Sequence, residues 1–125
     1  QVYLINYHLI WCSKRRRKIL VNDIKNRLES IIKQVAQEKG ISVLALEIMP
    51  DHLHFFVSAP PKWSPAQVVQ ILKTWTSREL REKFAIIRQT RYSDDLWASS
   101  YYCGTAGHVS AEVIARYIRE NTSKF

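Results

Sequence analysis

Two histidines one residue apart, His52-Leu53-His54, are the sharpest chemical feature of this 125-residue chain. On a β-strand, side chains two apart leave the same face, roughly 7 Å apart. Both imidazoles then share one face, while Leu53, Phe55 and Val57 point to the other. Neutral imidazole is a common metal ligand, and two of them converge on one divalent cation once a third ligand joins. A bare pair is equally at home as surface or networked histidines, and its spacing leaves both roles open. No third alternating histidine follows, because position 56 is Phe, and no run of the HxHxDH kind is present. Histidine-triad hydrolases and metallo-β-lactamase-like hydrolases are thereby excluded. No cysteine is close enough in sequence for an obvious zinc site.

Tyr117 and Asn121 are four residues apart, so a helix places them one above the other. They border an apolar stripe of Ala111, Ile114, Ala115 and Ile118. A helical tyrosine in that position is usually a boundary aromatic; a phenol beside a bound phosphodiester is also a nucleophile. Lys14-Arg15-Arg16-Arg17-Lys18 is an unbroken cationic run that suits a phosphate backbone, or else a solvated surface. Lys73 and Arg78, with Arg81, add a second basic surface around Trp75, whose ring is either a stacking platform or core.

The elements that must position these residues follow from hydropathy patterning. Val2 to Trp11 alternates, with Tyr3, Ile5, Tyr7, Leu9 and Trp11 more apolar than the side that carries Asn6 and His8. Ile24, Leu28, Ile31, Ile32 and Val35 recur at helical spacing over 22–38, and Gly40 is placed to end that helix in a left-handed cap. Strands are predicted over 41–49 and 52–58 around a Pro50-Asp51 turn. Ser64 caps a helix with Pro65 at its first position that runs to about Phe84. Ser93-Asp94-Asp95 signals a turn, 101–105 a fourth strand with Gly104 at a bulge or close approach, and Ser110 the cap of a last helix. The order βαββαβ plus a carboxyl-terminal helix is a ferredoxin-like, RRM-like α+β sandwich. This reading makes the first and third strands a parallel central pair and leaves the sheet face opposite the helices open.

Length fits one domain, residues 1–125, and no apolar run approaches the ~20 residues of a membrane span. The polar Asn6 and His8 break the first segment, against a signal peptide. With 19 Lys+Arg against 11 Asp+Glu the net charge is +8, which favours a polyanionic partner, above all nucleic acid. Cys12 and Cys103, without metal-ligand spacing, read as buried free thiols in a reducing cytoplasm.

The ordered set of segments resembles one family. Tyr7-His8-Leu9-Ile10-Trp11 leads into the basic run, and Met49-Pro50-Asp51-His52-Leu53-His54 leads into Phe55-Phe56-Val57-Ser58. Leu72-Lys73 to Ser77-Arg78, Leu96-Trp97 through Tyr101-Tyr102 to Gly107, and Ile114-Ala115-Arg116-Tyr117-Ile118 complete it. The chain resembles the TnpA-type transposases of small insertion sequences, the single-tyrosine branch of the HUH (His-hydrophobic-His) nucleases. The resemblance implies that Tyr117 is the nucleophile and that His52 and His54 bind magnesium or manganese. Asn121 stands where the family usually has a glutamine ligand. It further implies hairpin-bearing single-stranded DNA as substrate and a 5′-phosphotyrosine intermediate. A homodimer with active sites shared between subunits is also implied, in a cytoplasmic, nucleoid-associated enzyme. The rivals are a non-catalytic RRM-like RNA-binding module, a domesticated or replication-type HUH nuclease, and a metal-dependent phosphodiesterase that uses water.

Overall fold

Strand β3 (His52–Ala59) is buried along its whole length, and its two faces explain the architecture. In the computed structural model, which describes residues 4–88 and 96–105, it lies in the middle of a four-stranded sheet. Strands β1 (Ile5–Cys12), β2 (Ser42–Met49), β3 and β4 (Tyr102–Thr105) are arranged β2-β3-β1-β4. Every described pairing is antiparallel, including β1 with β3. The expected parallel central pair is therefore corrected. A crossover from β1 through a helix makes β1 and β2 parallel, but β3 lies between them and returns from β2 through the tight turn at Pro50-Asp51, so it runs against both.

Helix α1 (Asn22–Glu38) and helix α2 (Pro65–Lys83) cover one sheet face. Tyr7, Leu9 and Trp11 of β1 and Leu53, Phe55 and Val57 of β3 pack there against Leu28, Ile31 and Ile32 of α1 and Val68, Val69 and Leu72 of α2. At roughly 25 cal/mol per Å² of apolar surface removed from water, this layer is the main stabilising term. Gly40 does adopt the left-handed conformation, with φ 71°. The Ser64 side chain accepts from the Gln67 amide while the Gln67 side chain accepts from the Ser64 amide, a reciprocal cap that fixes the start of α2. A short helix α3 (Ala85–Arg88) occupies what the sequence suggests is loop. In β2 the register slips between Val43 and Ala45, a bulge that leaves Leu44 exposed.

Two further expectations change, and one open alternative is narrowed. The second sheet face is closed rather than open, since His8, Ile10, His52, His54 and Phe56 are all buried. Cys103 is exposed and Cys12 half-buried, although both are free thiols. Trp75 is 41% exposed and so is not core. Among the described residues no helix is long and apolar enough to cross a membrane. The expected turn at 93–95 and the last helix, with Tyr117 and Asn121, lie outside the described residues.

Candidate functional site

Antiparallel register assembles the site on the second sheet face. Cys12 pairs with His52, Ile10 with His54 and His8 with Phe56, so these residues of the two central strands share one surface. The His52 and His54 rings lie edge to face with centroids 5.2 Å apart. His8 stacks flat on Phe56 at 4.2 Å and meets the Tyr102 ring edge-on at 5.9 Å. Such mutual stacking is one reason why this face is dry.

Each imidazole of the pair is held through its Nδ1 atom. His52 Nδ1 is 2.7 Å from Asp51 Oδ1, and the other carboxylate oxygen accepts from Arg16 Nε at 3.1 Å. Burial pushes the Asp51 carboxyl up, but the His52 hydrogen bond and the Arg16 charge outweigh it and leave the group below its ordinary value. His54 Nδ1 is 3.2 Å from His8 Nε2. Burial holds His8 near a pKa of about 4; burial, then the neighbouring His52 and His8, hold His54 at about 4 as well. Both are therefore neutral at physiological pH, the form that binds metal.

Held in this way, His52 Nε2 and His54 Nε2 are buried without a hydrogen-bond partner. Two dry imidazole nitrogens with nothing to bond cost free energy unless something takes their lone pairs. A divalent cation fits that need chemically, with a carboxylate behind one histidine as metal-binding histidines commonly have. The described residues contain no group of three His, Cys, Asp or Glu that could hold a metal, so a third protein ligand of those types is not among them. His8, the sequence's other candidate on this face, presents its Nε2 to His54 Nδ1 and not to the Nε2 side of the pair.

The basic run is more structured than a solvated tail. Lys14–Arg16 form a 3-10 turn in which Arg15 and Arg16 take left-handed φ values of 58° and 53°. Ser13 Oγ donates to Arg17 O at 2.7 Å and Arg17 Nε donates to Lys14 O at 3.1 Å. Arg15, Arg16 and Lys18 are exposed, with Arg16 turned to Asp51. On α2, Lys73 Nζ donates to Ala98 O and Ser100 O at 2.7 and 3.2 Å, so its ammonium ties the 96–100 segment to the helix. Arg78 lies 5.3 Å from the centre of the exposed Trp75 ring, a cation–π pair on the surface. Sequence reasoning took Asp51 for a turn residue and missed its contact with His52. The available signal was an acidic residue directly before the first histidine, in a turn that frees it from strand alternation.

Fold and face thus define an α+β domain of the ferredoxin-like class with paired histidines on a central strand. A family model described as transposase IS200 like matches residues 1–121. The chain belongs to that family of TnpA-type transposases. It is 32% identical over 123 residues to the ISDra2 transposase TnpA of Deinococcus radiodurans, covering 98% of this chain and 88% of that protein. It is 27% identical over 107 residues to the transposase of insertion sequence IS200 from Salmonella typhimurium, covering 86% and 70%. Among solved structures, a Deinococcus radiodurans R1 protein described as a transposase superposes with a TM-score of 0.79 at 32% identity, covering 96% of this chain and 92% of that one. A REP-associated tyrosine transposase bound to a REP hairpin superposes at 0.68 with 12% identity, covering 98% and 71%, a likeness of fold alone. The protein is accordingly a DNA-transposing enzyme.

Proposed function

We propose that the chain, acting as one domain over 1–125, excises and inserts a mobile DNA element by cutting and rejoining single-stranded DNA at Tyr117. The Tyr117 hydroxyl oxygen attacks the scissile phosphorus and gives up its proton. The bond from phosphorus to the 3′ oxygen breaks, and that oxygen leaves as a protonated 3′-hydroxyl. A 5′-phosphotyrosine keeps the energy of the phosphodiester, so a 3′-hydroxyl rejoins the strand by the reverse reaction without ATP. An unperturbed phenol, with a pKa of about 10, is a weak nucleophile at neutral pH and needs help from the phosphate side. His52, His54 and Asn121 would hold magnesium or manganese, which would supply that help by polarising a phosphodiester oxygen.

The observation that carries this reading is the pair of buried, unpartnered Nε2 atoms of His52 and His54 in a member of a transposase family. Lys14, Arg15, Arg16, Arg17 and Lys18, with Lys73 and Arg78, are the proposed DNA contacts, and hairpins near the element ends the features recognised. A homodimer in which each site joins one subunit's histidines to the other's tyrosine completes the proposal. Incubation with hairpin-bearing single-stranded DNA and manganese should give a protein–DNA adduct that survives denaturation. Tyr117→Phe should bind DNA and form no adduct; an adduct at the wild-type rate removes Tyr117 from the role.

A further inference from the structure

Beside the histidine pair lies a carboxylate that the proposed chemistry leaves without a role. Asp51 sits in the β2–β3 turn, with one carboxylate oxygen 2.7 Å from His52 Nδ1 and the other 3.1 Å from Arg16 Nε. Its backbone carbonyl makes a separate attachment to the end of β1, accepting from the Ser13 amide at 3.0 Å and from Ser13 Oγ at 3.3 Å.

We infer that Asp51, anchored by Arg16, is a positioning residue that fixes the tautomer and rotation of His52 so that its Nε2 lone pair faces the metal site. This rests on the proposal that His52 binds a divalent cation. An ionised carboxylate only accepts hydrogen bonds, so the proton between the two residues must sit on His52 Nδ1. A neutral imidazole with Nδ1–H has its lone pair on Nε2, the buried atom that lacks a partner. Without the carboxylate, the ring would be free to place its proton on Nε2 and lose the ligand.

Backbone geometry supports a dedicated role for Arg16. Two consecutive arginines in the left-handed region are unfavourable, since their Cβ atoms crowd the following carbonyl. The turn is held in this shape by neighbours: Arg16 N donates to Ser13 O at 2.9 Å, Lys14 N to Leu96 O at 2.9 Å, and Leu20 N to Pro50 O at 2.9 Å. A segment meant only to spread charge along a phosphate backbone needs no such conformation. Here it delivers one guanidinium to one carboxylate, and through it the cationic connector touches the histidine pair.

Two readouts on the full-length, metal-free protein test this. Nitrogen-15 NMR of the His52 ring should show Nδ1 protonated in the wild type and a shift toward the Nε2-protonated form in Asp51→Ala. Titration with manganese chloride, followed by the loss of free Mn²⁺ signal in electron paramagnetic resonance, should show affinity falling about ten- to a hundredfold in Asp51→Ala. Asp51→Asn, whose amide oxygen still accepts from Nδ1, should recover part of both, and Arg16→Ala should fall between. A wild-type protein that takes up manganese while Asp51→Ala keeps its tautomer and binds within about twofold overturns the inference alone. A wild-type protein that takes up no manganese overturns the metal reading and the inference with it. If Asp51→Ala fails to fold, the Asn and Arg16 variants decide: wild-type affinity and tautomer in both overturn it.

Discussion

At the scale of residues, the histidines set both the chemistry and a pH limit. His8 and His54 are held at about 4 in the fold, against an ordinary value of 6.5. As pH falls, the unfolded chain takes up these protons first, so folding stability is complete above pH 6.5. It is lost progressively between 6.5 and 4 and changes no further below that on their account. The Asp51 carboxyl, held below its ordinary value, adds a separate loss at lower pH. Urea unfolding in EDTA at pH 7.5 and pH 5 should therefore differ by about 4 kcal/mol, roughly half from each histidine, with the lower stability at pH 5. Equal midpoints would mean that the histidines titrate as if in water. The pair itself was legible from two-residue spacing, because alternation on a strand is a strict geometric rule. The partners behind it were not. His8 reaches His54, a residue 46 positions away, only through the register of β1 on β3.

Elements with a local cause were the most legible. Helix α1 spans the predicted 22–38, because its apolar residues repeat at helical spacing and Gly40 ends it. Helix α2 starts where Ser64 and Pro65 require. What depends on tertiary packing was read less well: the direction of β3 relative to β1, the closed second face, and helix α3. The segment that carries Trp97 belongs here too. Its buried indole Nε1 donates to Thr76 Oγ1 at 2.9 Å, and that hydroxyl donates to Leu72 O at 2.6 Å. No sequence pattern announces a threonine in mid-helix as the acceptor for a tryptophan 21 residues later. Thr76→Val keeps shape but strands the indole N–H in a dry place, and should destabilise by about 1–3 kcal/mol in urea unfolding. Thr76→Ser, which keeps the hydroxyl, should cost less. Equal losses would mean that methyl packing, not the hydrogen bond, holds this segment.

At the scale of the whole molecule, a net charge of +8 predicts salt-sensitive binding to single-stranded DNA, but the cations of the connector are not equivalent. Each phosphate contact releases counterions, and for single strands the logarithm of affinity falls by about 0.7 per contact for each tenfold rise in salt. A cation already neutralised by a carboxylate gives up that ion pair when it takes a phosphate, so its net release is smaller. Arg16 is in that position through Asp51, whereas Lys18 is exposed beside it. Lys73 is further constrained by its two carbonyl bonds, which a phosphate would have to displace. Measured by fluorescence anisotropy over about 50–300 mM salt, Lys18→Ala should flatten the slope by about 0.7. Arg16→Ala and Lys73→Ala should flatten it less, with Arg16→Ala weakening manganese uptake and Lys73→Ala lowering stability instead. Equal slope changes for all three would mean that these cations act as an undifferentiated charge track and that the contact with Asp51 does not survive DNA binding.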